Sequence, residues 1–339
     1  MARKKKRSRS AQQKPARGAI SDASGKTGRR ERRQPEPPRI SGRWLLSALA
    51  LTLLAAVFCA WGTLCLLFWQ GSWQLLYHPV AAIARTPANA GMAFDPVAFA
   101  STDTGVPRLT GWWIPAAGGS AFNRYTVLFL HGQDGNLGDT VDALAQLHRA
   151  GVNVLAFDYR GYGQSQFEQP SEVRWRQDAD WALRYLIETR HIDPATIVLD
   201  GVGLGANLAL ETAAAHPELA GVILELPLEN PMTVVLHDAR ARFVPARLLV
   251  RDRYDLRAPA AALRVPLLWF AWNAHPETPA SPGEPDAYRQ AGARKMLVWL
   301  GPAPVASLQF SNALSRWLDQ LGAPPPGSPL TGLRRWGGS

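Results

Sequence analysis

Thr196-Ile197-Val198-Leu199-Asp200-Gly201-Val202-Gly203-Leu204-Gly205 is the stretch that decides how the rest of the chain is read. An apolar run gives way to three alternating glycines, and a helix-like stretch over residues 206–216 follows. That is the strand–tight turn–helix context of G-x-S-x-G, in which the central side chain projects above a sheet as a nucleophile. Here the central residue is Gly203. The flanking glycines permit the turn, but the side chain at its apex is a hydrogen atom. The stretch reads as a turn that was kept and a nucleophile that was lost.

Working outward, short apolar runs at 125–130, 152–157, 197–199 and 221–226 have the length and composition of buried parallel strands. Helical spacing over 137–150 ends at Gly151, a good C-terminal cap, and Ser171 after Pro170 caps a helix running to Arg190. Runs at 97–100 and 109–114 read as two strands around the turn Thr102-Asp103-Thr104-Gly105. Strands at 265–271 and 295–300 and a helix over 305–321 complete the series. Such alternation predicts a mostly parallel central sheet with helices on both faces. Residues 227–264 break the rhythm with mixed apolar and basic sequence, the usual place for a lid. A domain over 96–321 would then be followed by a Pro/Gly-rich disordered tail over 322–339.

The net charge of +10 does not belong to this domain. Residues 1–43 hold 15 Lys/Arg against three acids, a net +12, which leaves 22 basic and 24 acidic residues elsewhere. A segment so poor in apolar residues is expected to be disordered. Residues 44–69 then run 26 positions without a charge, where ~20 suffice to cross a bilayer core. Trp44, Trp61, Trp69 and Trp73 supply interfacial anchors. A cleaved signal peptide has a shorter apolar region and an A-x-A-like site, and none follows Trp69. The sequence therefore predicts a transmembrane helix over 44–69, a cytoplasmic basic tail and a connector over 70–95. By the positive-inside rule the main domain is extracytoplasmic, periplasmic if the cell is bacterial. The tail's charge then meets anionic membrane lipids, and nucleic acid is an unlikely partner. Cys59 and Cys65 both fall in the span, so the outer domain is expected to hold no disulfide.

With these motifs in order, the chain resembles the membrane-anchored α/β-hydrolases, single-span proteins with serine-hydrolase domains, over about residues 70–320. The resemblance rests on Leu75-Leu76-Tyr77-His78-Pro79, Gly111-Trp112-Trp113-Ile114-Pro115, His131-Gly132-Gln133-Asp134-Gly135-Asn136, Phe157-Asp158-Tyr159-Arg160-Gly161-Tyr162-Gly163-Gln164-Ser165 and Asp252-Arg253-Tyr254-Asp255, set around the glycine turn. It implies an α/β-hydrolase fold and an oxyanion hole built from the backbone N–H groups of Gln133 and Leu204. It also implies structural roles for His131, Asp158 and Ser165. Asp134, Asn136 and Asp139 resemble half a cation loop, too little to predict a metal. No cofactor is implied.

The resemblance also fixes where the catalytic groups should stand, in the order Ser, Asp or Glu, His. The nucleophile position is Gly203. The acid position after the strand at 265–271 falls at about His275, and the base position after the strand ending at Leu300 falls at about Pro304. The seven histidines are 78, 131, 148, 191, 216, 237 and 275, so none follows the last strand. A serine hydroxyl without a base is a poor nucleophile, and here all three positions are vacated together. Asp200 and Glu225 are carboxylates at strand ends near the turn, but aspartate nucleophiles on this fold occupy the apex itself. The expectation is a pseudoenzyme with no catalytic residue, binding a lipid or acyl-bearing ligand or an envelope protein partner. The alternatives are a divergent serine-type ester or thioester hydrolase with relocated residues, and a relic with no ligand.

Overall fold

The computed structural model describes residues 41–273 and 283–321. Nearly all of the basic tail, the tail over 322–339 and the acid position at His275 lie outside the described residues. The chain divides into two compact units, residues 1–55 and 56–339. Helix α1 (Gly42–Gly71) belongs partly to each. With a mean hydropathy of 2.2 over its apolar window, it is long and apolar enough to cross a membrane. Only 6% of that window is buried.

Within the second unit an eight-stranded sheet is formed by β1 (Asp95–Phe99), β2 (Leu109–Ile114), β3 (Thr126–Leu130), β4 (Asn153–Asp158), β5 (Ile197–Val202), β6 (Gly221–Glu225), β7 (Leu267–Trp272) and β8 (Lys295–Leu300). Their spatial order is β1-β2-β4-β3-β5-β6-β7-β8. The first two pairings, β1 with β2 and β2 with β4, are antiparallel, and every other pairing is parallel. The four strands expected around the glycine turn are thus neighbours and parallel, with Val127 opposite Val198 and Val198 opposite Gly221. Their near-continuous apolar composition follows from burial on both faces.

Helices α2 (Val141–Ala150), α3 (Glu172–Arg184) and α4 (Leu204–Ala215) follow β3, β4 and β5. Gly151, at φ 88°, closes α2 in the left-handed conformation that glycine adopts without a Cβ penalty. The Ser171 side chain accepts from the Arg174 N–H and starts α3. The helix expected to reach Arg190 leaves the α form at Tyr185 and ends in a π turn (Tyr185–Thr189). The wider turn lets Leu186 stay buried while Tyr185 stacks on Phe99, ring centroids 4.8 Å apart.

The segment over 227–264 forms three short α-helices, α5 (Pro231–His237), α6 (Ala246–Leu249) and α7 (Arg257–Ala262), and one 3-10 turn (Ala239–Arg242). Helix α8 (Asp286–Gln290) has no counterpart in the sequence reading, and α9 (Val305–Leu321) is the final helix expected. Trp175, Leu208, Tyr254 and Trp269 belong to one hydrophobic core, with α3, α4 and the lid. Val141, Leu144, Leu314 and Trp317 of α2 and α9 belong to the other.

Candidate functional site

Strands β5, β7 and β8 run parallel, so their C-terminal ends lie along one edge of the sheet. That edge carries Gly203, Asn273 and the turn at Gly301. Gly203 links β5 to α4 with φ 57° and ψ −122°, a conformation L side chains rarely adopt. Its N–H donates to the Glu225 carbonyl at 2.9 Å. Gly201 and Gly205 are needed sterically. A Cβ on Gly201 would overlap the Gly205 carbonyl, and one on Gly205 would overlap the carbonyls of Leu130 and His131. The tight turn therefore holds β5, β3 and α4 in direct backbone contact.

The space over Gly203 is different, because no backbone closes it. A Cβ there would meet the Oε1 atom of Gln133 at 2.8 Å and Leu228 Cδ1 at 3.7 Å. The same Oε1 accepts a hydrogen bond from the Leu204 N–H at 3.2 Å, while Nε2 donates to Asp134 at 3.0 Å. Leu204 N–H is one of the two groups assigned to the oxyanion hole, and the other belongs to the backbone of Gln133. The amide side chain of Gln133 thus occupies the space over Gly203 and holds the Leu204 N–H. The backbone carbonyl of Gln133 is fixed by the Tyr162 hydroxyl at 2.8 Å and the His78 N–H at 2.9 Å. A short parallel bridge pairs His78–Pro79 with Asp134–Gly135 and stitches this loop to the chain leaving α1.

His131 is fully buried between the rings of Tyr159 and Tyr162. Its Nδ1 donates to the Gly132 carbonyl at 2.8 Å, and burial pulls its pKa down to about 4. It is neutral at pH 7, so its approach to Asp158 at 3.6 Å is not an ion pair. Asp158 is itself pushed up to about 7 by burial, although it accepts from the Leu137 N–H at 3.0 Å. Ser165 donates to the Asp158 carbonyl and accepts from the Thr110 N–H at 2.9 Å, so it ties β2 to β4. Asn136 and Asp139 cap the turn at Leu137–Thr140, and Asp134 pairs with His78. Those side chains are spent on structure.

At the base position, Gly301 donates its N–H to Gln309 Oε1 at 2.8 Å, and Pro304 stands just before α9. Among the described residues no histidine lies beyond His237. A second titratable pair near the turn is Asp200 and Glu225, on adjacent strands. Asp200 is fully buried and neither carboxyl oxygen has a geometrically acceptable hydrogen-bond partner. Burial, then the neighbouring Glu225 carboxylate, pushes Asp200 well above its ordinary value, and burial pushes Glu225 up to about 7. Burial thus favours the protonated form of both carboxyls.

A cavity of about 710 Å³ is lined by residues other than those of this edge. Trp69, Trp73 and Leu76 bound it on the side of α1, Arg174 on α3, and Leu249 and Arg251 on the lid.

Strand order, glycine turn and lid together define an α/β-hydrolase. The chain belongs to the α/β-hydrolase family. A family model described as serine aminopeptidase, S33 matches residues 122–249. Over 238 residues the chain is 30% identical to the uncharacterized protein Rv2307c of Mycobacterium tuberculosis, covering 69% of this chain and 81% of that one. It is 34% identical over 142 residues to the uncharacterized protein YfhR of Salmonella typhimurium, covering 41% and 46% of the two chains. Among solved structures, a Pyrococcus furiosus esterase, Pf2001, superposes with a TM-score of 0.55. It covers 72% of this chain and 98% of its own at 17% identity, a likeness of fold alone.

Proposed function

We propose that this protein is a membrane-anchored α/β-hydrolase-fold protein that no longer catalyses hydrolysis and binds a lipid or acyl-bearing ligand at the membrane surface. One observation carries the reading: Gln133 Oε1 lies 2.8 Å from where a side chain on Gly203 would begin. The same oxygen holds the Leu204 N–H that an oxyanion would need. Covalent acyl transfer requires a nucleophile, a base and free oxyanion donors. The apex supplies no nucleophile, and one of its donors is already bonded.

The anchor is supported by the length and composition of α1, and the sidedness by the basic tail before it. In this reading the tail is cytoplasmic and the domain extracytoplasmic. The cavity beside Trp69 and Trp73 supports the ligand class. It joins apolar walls to arginines at the level where an apolar helix would leave a bilayer.

The competing reading is a divergent ester or thioester hydrolase, and the buried Asp200–Glu225 pair favours it as a reservoir of protons near the turn. Native mass spectrometry of the full chain released from detergent separates the two. The expected result is a bound lipid that Trp73→Ala and Arg251→Ala lose together. A wild-type protein that carries no lipid, or a lipid that survives both substitutions, would refute the binding role.

A further inference from the structure

Resting on the membrane-anchored reading, we propose that the lid over residues 239–251 sits in the lipid leaflet on the domain's side. It is then a bilayer-contacting surface and not a cover facing water. Within the second compact unit, the end of α1 is fastened to the domain. Phe68 is only 5% exposed, and Leu64 and Cys65 pack against the same core. The indole N–H of Trp61 donates to the Phe243 carbonyl at 2.9 Å. Trp61 lies eight residues before Trp69, about 12 Å along the helix toward the middle of the apolar run. Whatever is bonded to Trp61 is carried to that height in the membrane.

The lid at that height has the surface of an interfacial element. Phe243 is 67% exposed and Leu248 82% exposed, beside the bare apolar side chains of α1. A water-facing cover of this size would not hold out its two largest apolar groups next to an apolar helix. Arg240, Arg242, Arg247 and Arg251 alternate with them. Arg240 is paired with Asp238, and Arg251 lies over the Trp69 ring at 4.9 Å. Long basic side chains can keep their stems among acyl chains while their heads reach the phosphates. The bond from Trp61 also answers a requirement that water does not impose: a carbonyl held in lipid needs a donor from the protein. The partner is therefore a phospholipid surface, with anionic headgroups favoured by the arginines.

Site-directed spin labelling of the full chain in nanodiscs of phosphatidylethanolamine and phosphatidylglycerol tests the proposal. Cys59→Ala and Cys65→Ala provide the background, with single cysteines at Leu248, at Leu54 in α1 and at Leu308 on α9. Leu54 is 70% exposed and Leu308 67% exposed, so neither label disturbs packing. The expected result is a Leu248 label relaxed by oxygen and shielded from a water-soluble nickel chelate, intermediate between the other two. A Leu248 label as open to the chelate as Leu308, with Leu54 shielded, overturns the lid proposal and leaves the anchor standing. A Leu248 label shielded from both reagents means a protein neighbour and equally overturns it. A Leu54 label open to the chelate overturns the anchor and the lid together.

Discussion

At Gly203 the backbone takes φ 57° and ψ −122°, which strains any residue with a Cβ. In an active relative of this fold that strain is borne by the serine. Here glycine bears it without a Cβ, and Gln133 occupies the space above. Gly203→Ser is expected to cost about 1–3 kcal/mol of stability and to leave p-nitrophenyl ester hydrolysis at background. The added hydroxyl would still lack a base, a factor of about 10²–10⁴. Adding Gln133→Ala, which opens the space and frees the Leu204 N–H, should not raise the rate. Thermal melts and initial rates on both variants check this. Efficient turnover would point to a hidden base, with His275 the first suspect because His131 is buried and, with its pKa pulled down to about 4, a weak base.

Asp200 gives a second expectation at this scale. The folded protein keeps protons on Asp200 and Glu225 that the unfolded chain releases near its ordinary carboxyl values. The native state then binds more protons, so this pair's contribution to stability falls as pH rises from about 4.5 through about 7, the value reached by Glu225. Asp200→Asn removes the buried acid and relaxes its neighbour. Melting temperatures across that window should show the variant gaining on the wild type as pH rises, with the two converging at the acid end.

Among the elements, α4 fastens the lid. Asn207 donates to the carbonyls of Leu228 and Tyr254 and accepts from the Leu228 N–H, all within 3.0 Å. Asn207→Ala would strand these buried groups and should cost on the order of 3 kcal/mol. Limited proteolysis should then cut between residues 228 and 254 faster than in the wild type, and an unchanged pattern would remove Asn207 from this role. Such fastenings explain what the sequence revealed and what it did not. The central strands were legible because burial on both faces writes a continuous apolar run into each. The turn was legible because only glycine fits at Gly201 and Gly205. The sequences around Tyr77 and Tyr254 stood out, but their purpose did not. The Tyr77 hydroxyl bonds both Asp252 and Tyr254 at 2.9 Å, from 175 and 177 residues away. The Gln133 side chain escaped notice for the same reason: its partner Leu204 is 71 residues on. The π turn and α8 left no trace, since five-residue elements carry too few periods to read.

For the whole molecule, charge, apolar helix and lid are arranged along one direction of the chain. A +12 tail precedes an uncharged run of 26 residues, and the domain that follows is close to neutral. The fold is that of a hydrolase, and in the function proposed above its chemistry has been given up while its shape serves binding. The measurement that tests this most directly is ester turnover by the purified full-length wild-type protein, in detergent or nanodiscs, with short- and long-chain p-nitrophenyl esters. The expected rate equals that of the heat-denatured protein across chain lengths and pH. Turnover well above that control, abolished by heating and retained through purification, would contradict it.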